Sequence, residues 1–128
     1  MPSPTVVLLL LLLSSASSFT IGGGSGAPLA IAQSFQNNLD NYVHQRSTVL
    51  VEHQIAGEFR FDGCKNHLNK PQFVSFLLNN NQNGHVTEAR ADKNKVIYRM
   101  DYGDKKVEAM ISKIGSRYFL KRAQEYLC

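Results

Sequence analysis

From His85 to Tyr126 the chain consists of four short runs, His85 to Ala91, Val96 to Tyr102, Lys106 to Ile114 and Arg117 to Tyr126. Asp92-Lys93-Asn94, Gly103-Asp104 and Gly115-Ser116 separate them, and all three are built from turn-forming residues. Links this short join only antiparallel neighbours, because a parallel pair needs a crossover of a dozen or more residues. The C-terminal half is therefore expected to be a four-stranded meander. In its second run Val96, Tyr98, Met100 and Tyr102 share one face and Ile97, Arg99 and Asp101 the other. The first face should look inward.

Upstream of Gly84 the period changes. Phe35, Leu39, Tyr42 and Val43 recur at i, i+4, i+7 and i+8, with Gln36, Asn37, Asp40, Asn41 and Gln45 on the other side, which predicts an amphipathic helix. Ordered structure is expected from about Leu29, after a lead-in from Ile21 to Pro28 with little apolar surface to pack. Ser47 and Thr48 can cap a second, shorter helical segment carrying Val49, Leu50, His53 and Ile55, although the same residues fit a strand equally well. Gly57 breaks that pattern, and Glu58-Phe59-Arg60-Phe61-Asp62 alternates as a half-buried strand does, ending at Gly63-Cys64. Asn69 offers an N-cap, Pro71 suits a first helical turn, and Gln72 stands where its side chain reaches back to the cap. A third helix follows, with Phe73, Val74, Phe76 and Leu77 as its buried stripe, and the run from Asn79 to Gly84 stops it. Helices first and strands afterwards make an α+β domain.

Val6 to Leu13 is an apolar run of eight residues, whereas a helix needs roughly twenty to span a bilayer. Followed by the small residues Ser14 to Ser18, it reads as a secretory signal over residues 1–18, with a linker at 19–28 and one domain at 29–128. Ala30-Ile31-Ala32 offers a second cleavage site, but it leaves an unusually long polar stretch behind the apolar run, so the cut is expected near Ser18. In an oxidising compartment Cys64 and Cys128 are each other's only intrachain partners, and a disulfide between them is expected. The alternatives are two free thiols or a nucleophilic cysteine with His67 nearby. These features point to a secreted, extracellular protein. Net charge is +4, and no Asp, Glu, Lys or Arg precedes Asp40. Composition excludes a collagenous, coiled-coil or wholly disordered chain.

The order of helix, short helical segment, Phe59-Arg60-Phe61-Asp62-Gly63-Cys64, Lys70-Pro71-Gln72-Phe73-Val74 on a third helix, and a meander ending on Cys128 resembles the nuclear transport factor two-like superfamily. More narrowly, it is similar to its small secreted members whose single domain ends in cysteine. The resemblance covers about Leu29 to Cys128. It implies a conical α+β fold in which a curved antiparallel sheet wraps the helices and leaves a cavity between the long helix and the concave face. A sheet bent that far needs a bulge or a glycine kink, and no strand-interior glycine is visible. The resemblance further implies that the open sheet can serve as a homodimer face. In the superfamily's isomerases and polyketide cyclases an Asp or His in the cavity works with a tyrosine or acid donor, positions that do not map onto this chain residue by residue.

Tyr98, Met100 and Tyr102, with His53 as a weaker addition, are the candidate contacts for a small apolar ligand; ordinary core packing is the alternative for the first three and a hydrogen-bonded structural role for His53. The spacings of His44, His53, His67 and His85 match no metal motif, and Asp92-Lys93-Asn94-Lys95-Val96 fails the calcium-loop pattern, so no metal or other cofactor is expected. Lys93, Lys95, Lys105, Lys106, Lys113, Arg117, Lys121 and Arg122 concentrate in the meander, interspersed with Glu88, Asp92, Asp101, Asp104, Glu108 and Glu125. A solvated face is expected there, with no nucleic-acid partner. Gln54-Ile55-Ala56-Gly57 departs from the inhibitory loop of cystatin-type protease inhibitors, which makes that reading weak. The expectation is a non-enzymatic secreted binding protein for a small apolar ligand or a protein partner, with a cavity enzyme of the isomerase or cyclase type as the rival.

Overall fold

The computed structural model describes residues 26–128; the expected signal segment and residues 19–25 of the expected linker lie outside the described residues. Helix α1 spans Gly26–His44. It begins three residues before the expected Leu29, because Pro28 falls in its first turn, where no backbone N–H is needed, and is itself buried. Helix α2 is Thr48–His53, capped by Ser47, whose side chain accepts from the Leu50 N–H. Its buried residue is Val51, fully shielded, while Val49 is 59% exposed. Of the residues expected on this segment, Val49, Leu50 and His53 point outward, while Ile55 falls beyond the helix at the start of the next strand and is buried; six residues are too few for periodicity to choose the inner face.

Strand β1 covers Ile55–Asp62 and β2 His67–Asn69, and they pair antiparallel. Helix α3, Lys70–Asn80, carries the expected capping box: Asn69 accepts from the Gln72 N–H at 3.1 Å and the Asn69 N–H donates to Gln72 Oε1 at 2.9 Å. Asn81 closes it in the left-handed conformation, φ 51°. The meander follows as β3 (Gly84–Asp92), β4 (Lys95–Tyr102), β5 (Lys105–Ile114) and β6 (Arg117–Glu125). The turns before β5 and β6 use Gly103 and Gly115 at φ +63° and +65°, as tight hairpins require.

The six strands form one sheet in the order β2-β1-β6-β5-β4-β3. All pairs are antiparallel except β1 with β6, which run parallel and make the sheet mixed. Curvature comes from bulges placed on ordinary residues. Thr87 is the extra residue of β3 between the Val86–Met100 and Glu88–Arg99 pairs, and Lys121 is that of β6 between the Met110–Arg122 and Ile111–Leu120 pairs. Gly57, expected to precede the strand, lies inside β1 where its register to β6 also shifts.

The concave face closes on the helices. Val96, Tyr98, Met100 and Tyr102 are all buried, as their alternation requires; their strand packs on α1, and Tyr102 also meets Phe76 of α3. One end of the core is aromatic: Phe73 of α3 lies 4.6 Å from Phe59 and 5.5 Å from Phe61 between ring centroids, and Phe76 bridges onward to Tyr102 at 6.0 Å. Cys64, beyond the end of β1, and Cys128, after β6, form a disulfide with Cα atoms 5.7 Å apart. Among the described residues no helix is long and apolar enough to cross a membrane.

Candidate functional site

Gln36 and Asp40 stand one turn apart on α1, on the side that periodicity assigns to solvent, yet both are buried. A polar chain crosses the core through them. The Tyr98 hydroxyl donates to Gln36 Oε1 at 2.7 Å, Gln36 Nε2 donates to Asp40 Oδ1 at 2.9 Å, and the Gly84 N–H donates to Asp40 Oδ2 at 2.9 Å. It thereby clamps α1 onto the first residue of β3 and the middle of β4. Gly84 is required by the close approach: a Cβ there would sit 2.6 Å from Met100 Sδ and 2.7 Å from Gln36 Nε2. Beyond this chain His44 offers one ring nitrogen to Asn81 Oδ1 and the other to Asn83 Oδ1, and these hydrogen bonds, that to Asn83 foremost, raise its pKa.

Burial raises the Asp40 carboxyl above its ordinary value near 3.8, and it outweighs the hydrogen bonds from Gly84 and Gln36. An acid whose pKa is higher folded than unfolded favours folding while protonated. As pH climbs through the window above 3.8 the unfolded chain sheds the proton first, so the stability this group contributes is present at low pH and lost as pH rises. The difference in urea midpoint, wild type minus Asp40→Asn, is therefore expected to fall with pH across that window, and a flat difference would contradict the assignment.

Two tyrosines of one strand make a matched pair. Tyr98 is hydrogen-bonded, whereas the Tyr102 hydroxyl is buried without a well-aligned hydrogen bond among the described residues, the Gln82 backbone lying near it. Tyr98→Phe strands Gln36 Oε1 and is expected to cost about 1–3 kcal/mol, while Tyr102→Phe removes a poorly paired buried dipole and should be close to neutral in urea unfolding. Burial raises both phenol pKa values.

Open space lies elsewhere. A groove of about 630 Å³ runs between α1 and the start of β6, lined by Ile31, Phe35, Tyr42 and Tyr118 with Gln54 and Arg117 at its polar margin. A polar pocket of about 360 Å³ lies over Asp40 and Gly84, walled by Asn37, Asn41 and Asn83. On the outer sheet face a cleft of about 240 Å³ runs past Ile97, Met110 and Arg122. Of the expected ligand contacts, Tyr98, Met100 and Tyr102 are together in the core and line none of these spaces, while His53 is exposed at the end of α2, next in sequence to Gln54 of the groove. His67 pairs with Asp62 at 2.9 Å, a contact that lowers the Asp62 pKa. No cluster of three or more His, Cys, Asp or Glu able to hold a metal occurs among the described residues.

The profile of the NTF2-like domain matches residues 29–124. The chain belongs to the NTF2-like family. Solved structures agree on the fold. An NTF2-like protein of unknown function from Shewanella oneidensis superposes with a TM-score of 0.61 at 7% identity, covering 76% of this chain and 97% of its own. A protein of unknown function with a cystatin-like fold from Nostoc punctiforme gives 0.57 at 10% identity over 73% and 86% of the two chains. A de novo designed protein with a curved β-sheet gives 0.58 at 8% identity over 75% and 96%. No curated protein matches the sequence. At such identities the likeness is one of fold, so what this NTF2-like domain does must come from its own groove, core and surface. The core polar chain and the groove both escaped sequence reasoning. The signal available for the first was two polar residues at i, i+4 beside an apolar stripe; the groove leaves none.

Proposed function

We propose that this NTF2-like domain is a secreted, non-enzymatic binding protein whose ligand is a small amphiphile held in the groove between α1 and β6. The observation that carries the reading is the groove's chemistry. Ile31, Phe35, Tyr42 and Tyr118 supply an apolar wall, Arg117 a cation at its margin, and about 630 Å³ lies within the size of ordinary small-molecule sites. Tyr98, Met100 and Tyr102 then act from behind, as a packed wall that holds α1 in place through the Tyr98–Gln36 hydrogen bond, and His53 precedes Gln54 of the groove in sequence. The rival, a cavity enzyme, needs an acid or base facing open space with a free donor beside it. Here the Tyr98 hydroxyl is engaged by Gln36 and both Asp40 oxygens accept hydrogen bonds. Secretion is part of the proposal and is supported by the Cys64–Cys128 disulfide, which suits an oxidising compartment.

Isothermal titration with dodecanoate, an apolar chain bearing a carboxylate, tests it. Saturable binding to the wild type, weakened about tenfold in Tyr118→Ala and in Arg117→Ala, is expected. Binding that neither substitution changes would reject the groove as the site, and absence of binding would reject the anionic amphiphile.

A further inference from the structure

Ten cations lie on the meander: Arg90, which forms no ion pair with any described residue, and Arg99, paired with Glu108 at 3.1 Å, sit within β3 and β4, and the other eight divide by position. Lys105, Lys106, Lys121 and Arg122 each face a carboxylate: Glu125 at 3.9 Å, Asp101 at 2.6 Å, Glu58 at 2.5 Å and Asp62 at 3.0 Å respectively. Lys93, Lys95, Lys113 and Arg117 form no ion pair with any described residue. Those four all lie at one end of the sheet, on the β3–β4 and β5–β6 turns. The two turns are tied together: the Lys113 N–H donates to the Asn94 carbonyl at 2.8 Å, and Lys95 stands opposite Ser112 in the ladder. Asp92 is the one acid on these turns, and residues 1–25 contain no Asp or Glu that could neutralise them.

Ile114 stands at the tip of this basic end and is 58% exposed. A β-branched apolar residue at a hairpin tip gains nothing in water, and the lysines around it keep their charges free. We propose that this end of the sheet docks on an anionic lipid surface, with Lys93, Lys95, Lys113 and Arg117 on the headgroup phosphates and Ile114 entering between them. The lysine stems lie along the apolar boundary while their ammonium groups stay among the phosphates. The groove reaches this end of the sheet, since Arg117 is in its lining together with Ala30 and Ile31 of α1, and the first turn of α1 carries no acid. A soluble polyanion would satisfy the cations but offers nothing to Ile114, which is why a lipid surface is favoured over a sulfated glycan or nucleic acid. Arg117 is shared with the groove, whereas Lys93, Lys95, Lys113 and Ile114 line no part of it, so substitutions at Lys95, Lys113 and Ile114 test the docking without touching the groove.

Each basic residue near such a surface contributes roughly fivefold to the association constant. The test is co-sedimentation of the oxidised, folded chain with vesicles of phosphatidylcholine, with and without about one part in four phosphatidylserine, alongside retention on heparin. Binding to the anionic vesicles alone, falling as salt rises, is expected. Lys95→Glu/Lys113→Glu should weaken it by well over tenfold and Ile114→Ser by about fivefold, with thermal midpoints showing that both variants remain folded. Equal binding to both vesicle types, or none to either, would overturn the proposal. So would tight heparin retention combined with vesicle binding indifferent to Ile114→Ser, the pattern of a soluble-polyanion site.

Discussion

Replacing both cysteines, Cys64→Ala/Cys128→Ala, is expected to lower the unfolding free energy by about 4 kcal/mol. The cross-link closes a loop with a sequence separation of 64, and in the chain-entropy account that restricts the unfolded ensemble by this amount. The effect is large because the domain is small, and a domain of this size has little stability in reserve. For about a hundred residues it corresponds to a fall of roughly 20 °C in Tm. The bond also fastens a vulnerable place. Cys128 follows the end of β6, and Cys64 lies in the link between β1 and β2, where its N–H donates to Glu125 Oε2 at 2.9 Å. Without the bridge those contacts must hold the chain end unaided. Wild type unfolded under reducing conditions should coincide with the double variant. A loss below about 1 kcal/mol would show that the bridge joins parts already held together in the unfolded chain.

Phe73→Ala is expected to cost about 3–5 kcal/mol, comparable to the disulfide. Phe73 is the hub of the aromatic end of the core, within 4.6 Å of Phe59, 5.5 Å of Phe61 and 6.1 Å of Phe76 between centroids. The first two belong to β1 and the third to its own helix, so neither a strand paired on both sides nor a capped helix can collapse easily into the vacated space. Phe76→Ala should cost less, since Phe76 is only partly buried. Urea midpoints of the two variants check the order, and equal losses would mean that the hub reading is wrong.

What could be read from the chain follows from how far apart the interacting residues lie. Asn69 and Gln72 are three positions apart, and the capping box they form is found as expected. The meander was equally legible, because two-residue turns leave one topology open and alternation decides which face of β4 is inside. The parallel pairing of β1 with β6 depends on residues some 60 positions apart, for which local pattern carries no information. Strand β2 is three residues long and has no period to detect. Gln36 and Asp40 looked like solvated helix residues because their partners, Tyr98 and Gly84, are 62 and 44 positions away. Bulges at Thr87 and Lys121 bend the sheet with no glycine to announce them, and Gly57, which sits at a third register shift, read as the end of the preceding segment and not as part of a strand. The groove was illegible for a related reason: Ile31, Tyr42 and Tyr118 are each unremarkable in their own segments and become a wall only when α1 crosses the start of β6.

The account rests on the ligand lying in that groove and not behind the sheet. Methyl-labelled isoleucine and methionine distinguish the two, because Ile31 lines the groove and Met100 is buried in the core. In a two-dimensional carbon–proton spectrum titrated with dodecanoate, the Ile31 methyl should shift progressively to saturation while the Met100 methyl stays in place. A Met100 shift with Ile31 unmoved would place the ligand inside the cone and contradict the account.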